Sequence, residues 1–196
     1  LQQFTSLPVQ LVQHPLYDNF GTKHDKKIGR QKLGLADDKY IYLFFGFIRK
    51  YKGLKILLEA FEKLKDQNSI LLIAGEYYAG EDEIKEIISS STARADIAEH
   101  THFINDEDVA YYFSAADCVV QPYIHATQSG VTPLAYHFEV PMIVTNVGAL
   151  ADLVPASLGI VCEPKVDSVL QALKDIRYLD LEKFKIKIKE EKLKLS

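Results

Sequence analysis

Short apolar runs alternate with helical patterns along most of the chain. Six segments are predicted strands, most of them continuous apolar runs typical of strands covered on both faces: 40–47, 69–75, 100–104, 117–123, 141–147 and 159–164. Apolar residues recur at helical spacing in 53–65, 81–91, 105–116, 129–138, 165–176 and 180–196. Strand, helix and strand in succession predict parallel pairing through right-handed crossovers. The pattern therefore predicts an α/β fold, a doubly wound Rossmann-like parallel sheet of about six strands between two layers of helices.

The two ends of the chain are set apart from this alternation. Residues 1–38 have mixed polarity and are predicted to be a linker or the end of a preceding domain, within which one short helix ending near Gly34 fits. We therefore divide the chain into that segment, a Rossmann-like domain at 39–178 and a C-terminal helix at 179–196.

Composition and charge argue against two classes of protein. Of the 196 residues, 47% are hydrophobic and 26% are charged, which is ordinary for a soluble globular domain. The net charge of −4 argues against binding to nucleic acid, because domains that do so are usually basic. No apolar stretch approaches the roughly 20 residues that a helix needs to cross a bilayer.

Sulfur-containing residues add two expectations. Cys118 and Cys162 lie in apolar segments without the spacing of a zinc site or a CxxC motif, which predicts buried thiols of a cytoplasmic protein. The sole methionine is Met142, so the chain starts at Leu1 without an initiator. We expect it to be a piece of a longer polypeptide.

Basic residues and glycines follow the first predicted strand, in "FFGFIRKYKGLKILLEAF" at 44–61. Ligands of open α/β sheets bind beyond the carboxyl ends of the strands, so this turn is a candidate site. Gly46 permits a tight turn, Gly53 begins a helix, and Arg49 and Lys52 flank that helix start. Two cations beside a helix N-terminus predict a phosphate or diphosphate cradle. The alternative is a solvated turn whose basic side chains face water.

Hydroxyl, amide and backbone N–H groups follow the predicted strand at 117–123. They belong to Thr127, Gln128, Ser129, Gly130 and Val131. At a second helix start, such groups suit a sugar or a phosphate, and an ordinary Ser/Thr cap is the alternative.

The ends of the second and third predicted strands carry weaker signals. Glu76 stands in a turn with two tyrosines, whose rings could stack on a base or cover the sheet edge. Ile104 and Asn105 end the third strand, where backbone groups could reach a base edge. His125 and His137 are predicted to be structural or exposed, and no pattern predicts a bound metal.

Four ordered stretches resemble the nucleotide-sugar-binding C-terminal domain of group 1 glycosyltransferases with the GT-B fold. They cover roughly residues 40–176 and read "FGFIRKYKGLKILLEAF", "LLIAGEYY", "FINDEDVAYYFSAADCVVQPY" and "GVTPLAYHFEVPMIVTNVGALADLV". The resemblance implies transfer of a sugar from a UDP- or GDP-sugar to a glycan or lipid-linked acceptor, retaining and without a metal or other cofactor.

The resemblance also implies roles for individual residues. Arg49 and Lys52 would stabilise the leaving diphosphate as the catalytic cations, and Ile104 and Asn105 would meet the base. The other implied donor-binding positions are Gly46, Gly53, Glu76, Thr127, Gln128, Ser129, Gly130 and Val131.

Three positions depart from the family pattern. Phe47 stands where members commonly carry an arginine, and Arg49 follows two residues later. Ala126 and Leu134 stand where many members carry two glutamates that contact the donor sugar and the ribose. The identity of the donor and the retaining outcome therefore stay open.

The resemblance finally implies partners outside this chain. Acceptor recognition would come from an N-terminal domain, and the whole enzyme could associate peripherally with the inner face of a membrane. We expect the 196-residue chain alone to bind nucleotide without efficient sugar transfer. Two alternatives stay open: another GT-B enzyme such as a nucleotide-sugar epimerase or a phosphorylase, or a degenerate, non-enzymatic binding module.

Overall fold

Six parallel strands form one sheet in the computed structural model, which describes residues 17–195. The strands are β1 (Tyr40–Phe45), β2 (Ser69–Ala74), β3 (Ile97–His100), β4 (Cys118–Gln121), β5 (Met142–Thr145) and β6 (Gly159–Cys162). Their order in the sheet is β3-β2-β1-β4-β5-β6, so the chain winds outward from the centre in two directions. This order confirms the predicted doubly wound fold.

Seven α-helices accompany the sheet within the described residues. They are α1 (Lys26–Lys32), α2 (Leu54–Leu64), α3 (Glu81–Ser90), α4 (Asp106–Ala115), α5 (Val131–His137), α6 (Val166–Asp175) and α7 (Leu181–Leu195). Helices α2, α3 and α6 bury their apolar faces on one side of the sheet, and α4, α5 and α7 on the other. The result is the predicted three-layer α/β/α arrangement.

The central strand β1 explains why its sequence is a continuous apolar run. Ile41 and Leu43 pack into the core beneath α4 and α5, whereas Tyr42 and Phe44 pack into the core beneath α2 and α6. All four side chains are at most 1% exposed. Because both faces are covered, the strand has no polar alternation.

The third strand is the one predicted element that lies elsewhere. The prediction put it at 100–104, but β3 is Ile97–His100, and Phe103 is 60% exposed beyond its end. Strand β3 is at the edge of the sheet, and only Ile97 of its residues is buried. An edge strand with one buried residue has no apolar run to predict it from.

Helix α1 is joined to the sheet by a buried ion pair. Arg30, whose side chain is 5% exposed, donates from Nη2 to Asp117 Oδ2 at 2.6 Å. The same oxygen accepts the N–H of Ile41 at 2.8 Å, and Lys26 Nζ lies 2.6 Å from Oδ1. One carboxylate thus connects the helix, β1 and the segment before β4.

The N-terminal part of the chain is described only in part. Residues 1–16 of the predicted linker lie outside the described residues, and α1 within the remainder packs against α4. The proposed divisions at 38 and 179 stay predictions. Cys118 and Cys162 are buried free thiols, as predicted. Among the described residues, no helix has both the length and the apolarity to cross a bilayer.

Candidate functional site

Two loops meet at the switch point of the sheet, between β1 and β4. Residues 46–53 follow β1 and residues 122–130 follow β4, and the N–H of Ile124 donates to the carbonyl of Tyr51 at 2.7 Å. Crevices at such switch points are where open α/β sheets bind ligands. The two stretches that the sequence singled out therefore share one edge of the sheet.

Gly53 allows these two loops to touch. Its φ is +69°, in the left-handed region, and it is the N-cap of α2. A Cβ atom added there would lie 1.9 Å from the carbonyl oxygen of Pro122. Only glycine fits both the conformation and the contact.

Gly46 forms the floor of a small space between the loops. A Cβ atom added there would lie 3.0 Å from Lys52 Nζ and 3.9 Å from Val131 Cγ2. On its other side, the carbonyl of Gly46 contacts Gly75, where an added Cβ would come within 2.4 Å of that oxygen. The structure thus brings together Gly46, Lys52 and Val131, three of the predicted site residues.

Lys52 is a mostly buried cation without an anionic neighbour. Its ammonium makes no hydrogen bond or ion pair with any residue in the described part of the chain, and it lies 5.6 Å from the centre of the Tyr123 ring. Burial, together with the positive charge of Arg49, lowers the pKa of Lys52 to about 8. A buried charge that lacks a partner is unfavourable, so this position suits an anionic ligand.

Replacing Lys52 with methionine is expected to stabilise the unliganded chain at neutral pH by about 2–3 kcal/mol. The pKa of Lys52 in the folded chain, about 8, lies below its ordinary value of 10.5. Between these values the unfolded chain binds a proton that the folded chain has released, so the wild-type free energy of unfolding rises with pH. The advantage of Lys52→Met should therefore shrink above about pH 8.

Urea unfolding at several pH values measures this difference. Lys50→Met is the matched control, because Lys50 belongs to the same short turn but is exposed, and its replacement should change stability little at any pH. A Lys52→Met protein less stable than wild type at neutral pH would contradict the argument.

The turn before α5 is held by its own serine. Ser129 Oγ accepts the N–H of Val131 at 3.1 Å and lies 3.2 Å from the hydroxyl of Tyr123. Ser129 is only 8% exposed, so its hydroxyl serves the turn. Gly130 is packed against Tyr17, whose Cε2 would lie 3.3 Å from an added Cβ. The turn is therefore held by Ser129 and Tyr17, and the side chain of Val131, which follows it, lies next to Gly46.

The remaining polar residues of this loop lie further out. Thr127 and Gln128 are exposed, and Thr127 lines a shallow depression of about 470 Å³ together with His125 and Gly148. The carbonyl of Thr127 accepts the N–H of Ala149 at 3.3 Å. The exposed side chains of Thr127 and Gln128 can contact a ligand that extends outward from Gly46.

A pocket of about 170 Å³ opens beside Gly46, over the carboxyl ends of β1 and β2. It collects Gly46, Glu76 and Ile104 from the predicted site. Four phenylalanines also line it: Phe20, Phe45, Phe47 and Phe103. An apolar pocket with aromatic walls suits a flat ring such as a nucleobase.

Asn105 and Glu76 contribute to this region in different ways. Asn105 is exposed at the N-cap of α4, and its side chain makes no capping hydrogen bond. Ile104 and Asn105 are the connection into α4, not the end of a strand, because β3 ends at His100. Glu76 lines the pocket, and its backbone carbonyl accepts the N–H of Ile48 at 2.7 Å.

Arg49 lies among different neighbours from Lys52. Its guanidinium carbon is 3.9 Å from the centre of the Tyr78 ring and 5.8 Å from that of Phe47. Its Nε is buried and hydrogen-bonds to no described residue. Of the two cations that were predicted to act together, Arg49 is close enough to lower the pKa of Lys52, but only Lys52 adjoins Gly46.

Leu134 and Ala126, which stand where many family members carry glutamates, have different surroundings. Leu134 is 5% exposed and forms part of the pocket wall beside Gly46. The backbone of Ala126 is packed against Gly148, where an added Cβ would lie 1.8 Å from the carbonyl oxygen of Ala126. The acidic residues that line the pocket are Glu76 and Asp106.

Sequence reasoning missed the aromatic residues of the site. Tyr17 and Phe20 belong to the predicted linker, yet they contact Gly130 and line the pocket, respectively. Phe47 and Phe103 are 49% and 60% exposed, and such exposed rings have no periodic signal. The one available signal was their position, since Phe47 is the last residue of the strand predicted at 40–47 and Phe103 is the next-to-last residue of the strand predicted at 100–104.

The sequence profile of the family described as "Glycosyl transferases group 1" matches residues 25–193. The chain belongs to this family. The match includes both loops of the crevice and the whole sheet. The resemblance drawn from the sequence is therefore confirmed at the level of the family.

Known proteins with similar sequences or structures agree with this assignment. An uncharacterised glycosyltransferase of Methanocaldococcus jannaschii is 27% identical over 140 residues, 69% of this chain and 35% of that protein. Sucrose-phosphate synthase from Thermosynechococcus elongatus superposes with a TM-score of 0.81 at 20% identity, over 95% of this chain and 48% of that one. Anabaena HepE in complex with UDP-glucose superposes with a TM-score of 0.77 at 18% identity, over 92% of this chain and 51% of that one.

The chain matches only a part of each of these proteins. The chain spans about a third of the curated relative and about half of each solved protein. It has the Rossmann-like α/β/α fold of one GT-B domain and corresponds to a C-terminal-like domain of the group 1 glycosyltransferases. Within residues 17–195, no cluster of three or more His, Cys, Asp or Glu side chains could hold a metal ion.

Proposed function

We propose that this chain binds the donor of a glycosyl transfer reaction, a UDP- or GDP-sugar, in the crevice above Gly46. The observation that carries the proposal is the ammonium of Lys52, which is mostly buried, lacks an anionic partner among the described residues and adjoins both Gly46 and Val131. A diphosphate would supply the missing negative charge. Membership of the group 1 family and the UDP-glucose in the crystal of Anabaena HepE support this choice of ligand.

The proposed role of Lys52 follows from where charge develops. As the bond between sugar and diphosphate breaks, negative charge increases on the leaving diphosphate. A fixed ammonium in a water-poor crevice stabilises that charge more in the transition state than in the ground state. Backbone N–H groups of the turn at Gly130 would add to this effect. The reaction proposed here needs no metal or other cofactor.

The pocket beside Gly46 is the proposed place of the nucleoside. The base would lie among the phenylalanine rings near Ile104 and Asn105, and the hydroxyls of the ribose near Glu76. Thr127 and Gln128, exposed on the neighbouring loop, would face the sugar. Arg49 would contribute mainly through its positive potential, because its side chain is packed on Tyr78.

Replacing Lys52 with alanine is expected to weaken the binding of UDP or GDP about thirtyfold, the equivalent of roughly 2 kcal/mol for one charge-assisted hydrogen bond. Isothermal titration calorimetry with UDP, GDP and their sugars measures the affinities. Lys50→Ala removes the same charge two residues away on an exposed side chain and should change the affinity little. Equal affinities for Lys52→Ala and wild type would refute the site.

The remaining parts of the proposal concern the whole enzyme. The acceptor would be a glycan or a lipid-linked sugar bound through an N-terminal domain, and the transfer would be retaining. The enzyme would be cytoplasmic, with peripheral association at the inner face of the membrane. The 196-residue chain alone would bind nucleotide without efficient transfer, and robust turnover by the purified chain would overturn that division.

A second candidate function is a binding module without catalytic activity. It is favoured by Ala126 and Leu134, which place no carboxylate where many family members carry their glutamates. Another GT-B enzyme, such as a nucleotide-sugar epimerase, would share the same donor site. Analysis of the products that the longer protein forms from UDP- and GDP-sugars separates the three cases: transfer, epimerisation or no reaction.

A further inference from the structure

A second cleft, of about 320 Å³, lies where the start of α2 faces the start of α3. Its walls are mainly apolar and are formed by Ile48, Leu54, Ile56, Ala79, Ile84 and Ile124. None of these residues lines the pocket beside Gly46. A cleft of this size is in the range of small-molecule sites, so it could hold an apolar group of a ligand.

The charges around this cleft are unequal. Lys55 of α2 pairs with Glu83 of α3 at 2.8 Å, which closes one side with a neutral pair. Arg49 and Lys50 line the cleft before the start of α2 and make no ion pair with any described residue, and Glu59 lies one helical turn beyond Lys55. Positive charge therefore remains at the end where α2 begins.

Arg49 is available to bind a ligand at the end of the cleft where α2 begins. Its guanidinium carbon lies 3.9 Å from the centre of the Tyr78 ring, a cation–π contact that restrains the side chain. Its side-chain nitrogens donate no hydrogen bond within the described part of the chain, and Nε is buried without a partner. A planar fork of this kind matches a phosphate or carboxylate group.

We propose that the cleft between α2 and α3 binds a single-chain amphiphilic anion, a phosphate or carboxylate carried on an apolar chain. The anion would pair with Arg49, and the chain would lie against Leu54, Ile56 and Ile84. This site is separate from the one proposed for the nucleotide, and the proposal does not depend on it. Arg49 and Lys52, three residues apart, would then serve two different anions.

Octyl phosphate tests this proposal by calorimetric titration of the full chain. It should bind at least about tenfold more tightly than butyl phosphate, because each buried methylene contributes roughly fourfold. Inorganic phosphate and octanol, which each lack one half of the ligand, should both bind at least about tenfold more weakly. Circular dichroism and thermal unfolding verify that each variant used below is folded.

Two variants address the two halves of the site. Arg49→Ala should weaken octyl phosphate at least about tenfold but change UDP affinity far less than Lys52→Ala does. Ala79→Phe, at an exposed position on the cleft wall, should fill the cleft and weaken octyl phosphate without removing a charge. Lys63→Ala, at the far end of α2, is the charge control.

Three results would overturn the proposal. They are an absence of octyl phosphate binding, binding unaffected by Arg49→Ala and Ala79→Phe, and displacement of octyl phosphate by UDP. The last result would mean one shared site at Lys52. Because Lys52→Ala should leave octyl phosphate binding intact, failure of this proposal and failure of the nucleotide proposal give different results.

Discussion

Replacing Arg30 with leucine is expected to destabilise the chain by about 3 kcal/mol, one of the largest effects of any single change considered. The guanidinium of Arg30 is almost wholly buried and donates to Asp117, to the carbonyl of Ala115 at 3.2 Å and to the carbonyl of Asp37. Leucine would leave all three acceptors without this donor. Breaking a buried ion pair from one side costs more than the pair contributes, since the other charge stays buried.

Two further variants separate this effect from simple loss of charge. Lys26→Leu removes the other cation that contacts Asp117, but Lys26 is about half exposed, so its loss should cost less than about 1 kcal/mol. Asp117→Asn in the Arg30→Leu background removes a charge that only the half-exposed Lys26 still pairs and keeps an acceptor for Ile41, so part of the lost stability should return. Urea unfolding measures each protein. A loss below about 1 kcal/mol for Arg30→Leu would contradict the analysis.

The buried pair also illustrates what could not be predicted from the sequence. Arg30 and Asp117 are 87 positions apart; Arg30 stands in a segment of mixed polarity, and Asp117 stands at the very start of a predicted strand. Residues up to 38 were predicted to be a linker because their polarity is mixed. The structure explains that polarity differently, since α1 is connected to the sheet through charged side chains as well as apolar ones.

The sheet itself could be predicted because its central strands are covered on both faces. In β1 and β4 almost every residue is buried, so the apolar runs are continuous and their ends are clear. Strand β3 lies at the edge and was placed three residues too late. The strength of the sequence signal thus follows burial, and it weakens from the centre of the sheet to its edge.

The convergence of Gly46, Lys52 and Val131 could also be predicted, because the carboxyl ends of parallel strands share one edge of the sheet. The direction of each side chain could not. Arg49 precedes a single turn of 3₁₀ helix, Lys50–Lys52, and Lys52 ends it, so the geometry of that turn decides which of the two meets Gly46. The direction of the Ser129 side chain could not be predicted either. Its hydroxyl accepts a hydrogen bond from the N–H of Val131 within the same turn.

The second large effect is expected for Gly53→Ala, which should destabilise the chain by about 2–5 kcal/mol. Alanine would be held in the left-handed region at a φ of +69°, and its Cβ would lie 1.9 Å from the carbonyl oxygen of Pro122. The loops after β1 and β4 would have to separate to relieve that contact. Because Lys52 precedes Gly53, we also expect UDP to bind more weakly to the folded fraction.

Gly80→Ala is the matched control for this change. Gly80 is also a left-handed N-cap, with a φ of +79° and the same ψ of 24° as Gly53, but an added Cβ there meets no atom within 4 Å. It should therefore show the conformational cost alone, about 1 kcal/mol. Thermal and urea unfolding give the stabilities, and calorimetry gives the affinity for UDP. Equal losses for Gly53→Ala and Gly80→Ala would mean that the contact with Pro122 is relieved without cost, and that the crevice does not depend on the close approach of its two loops.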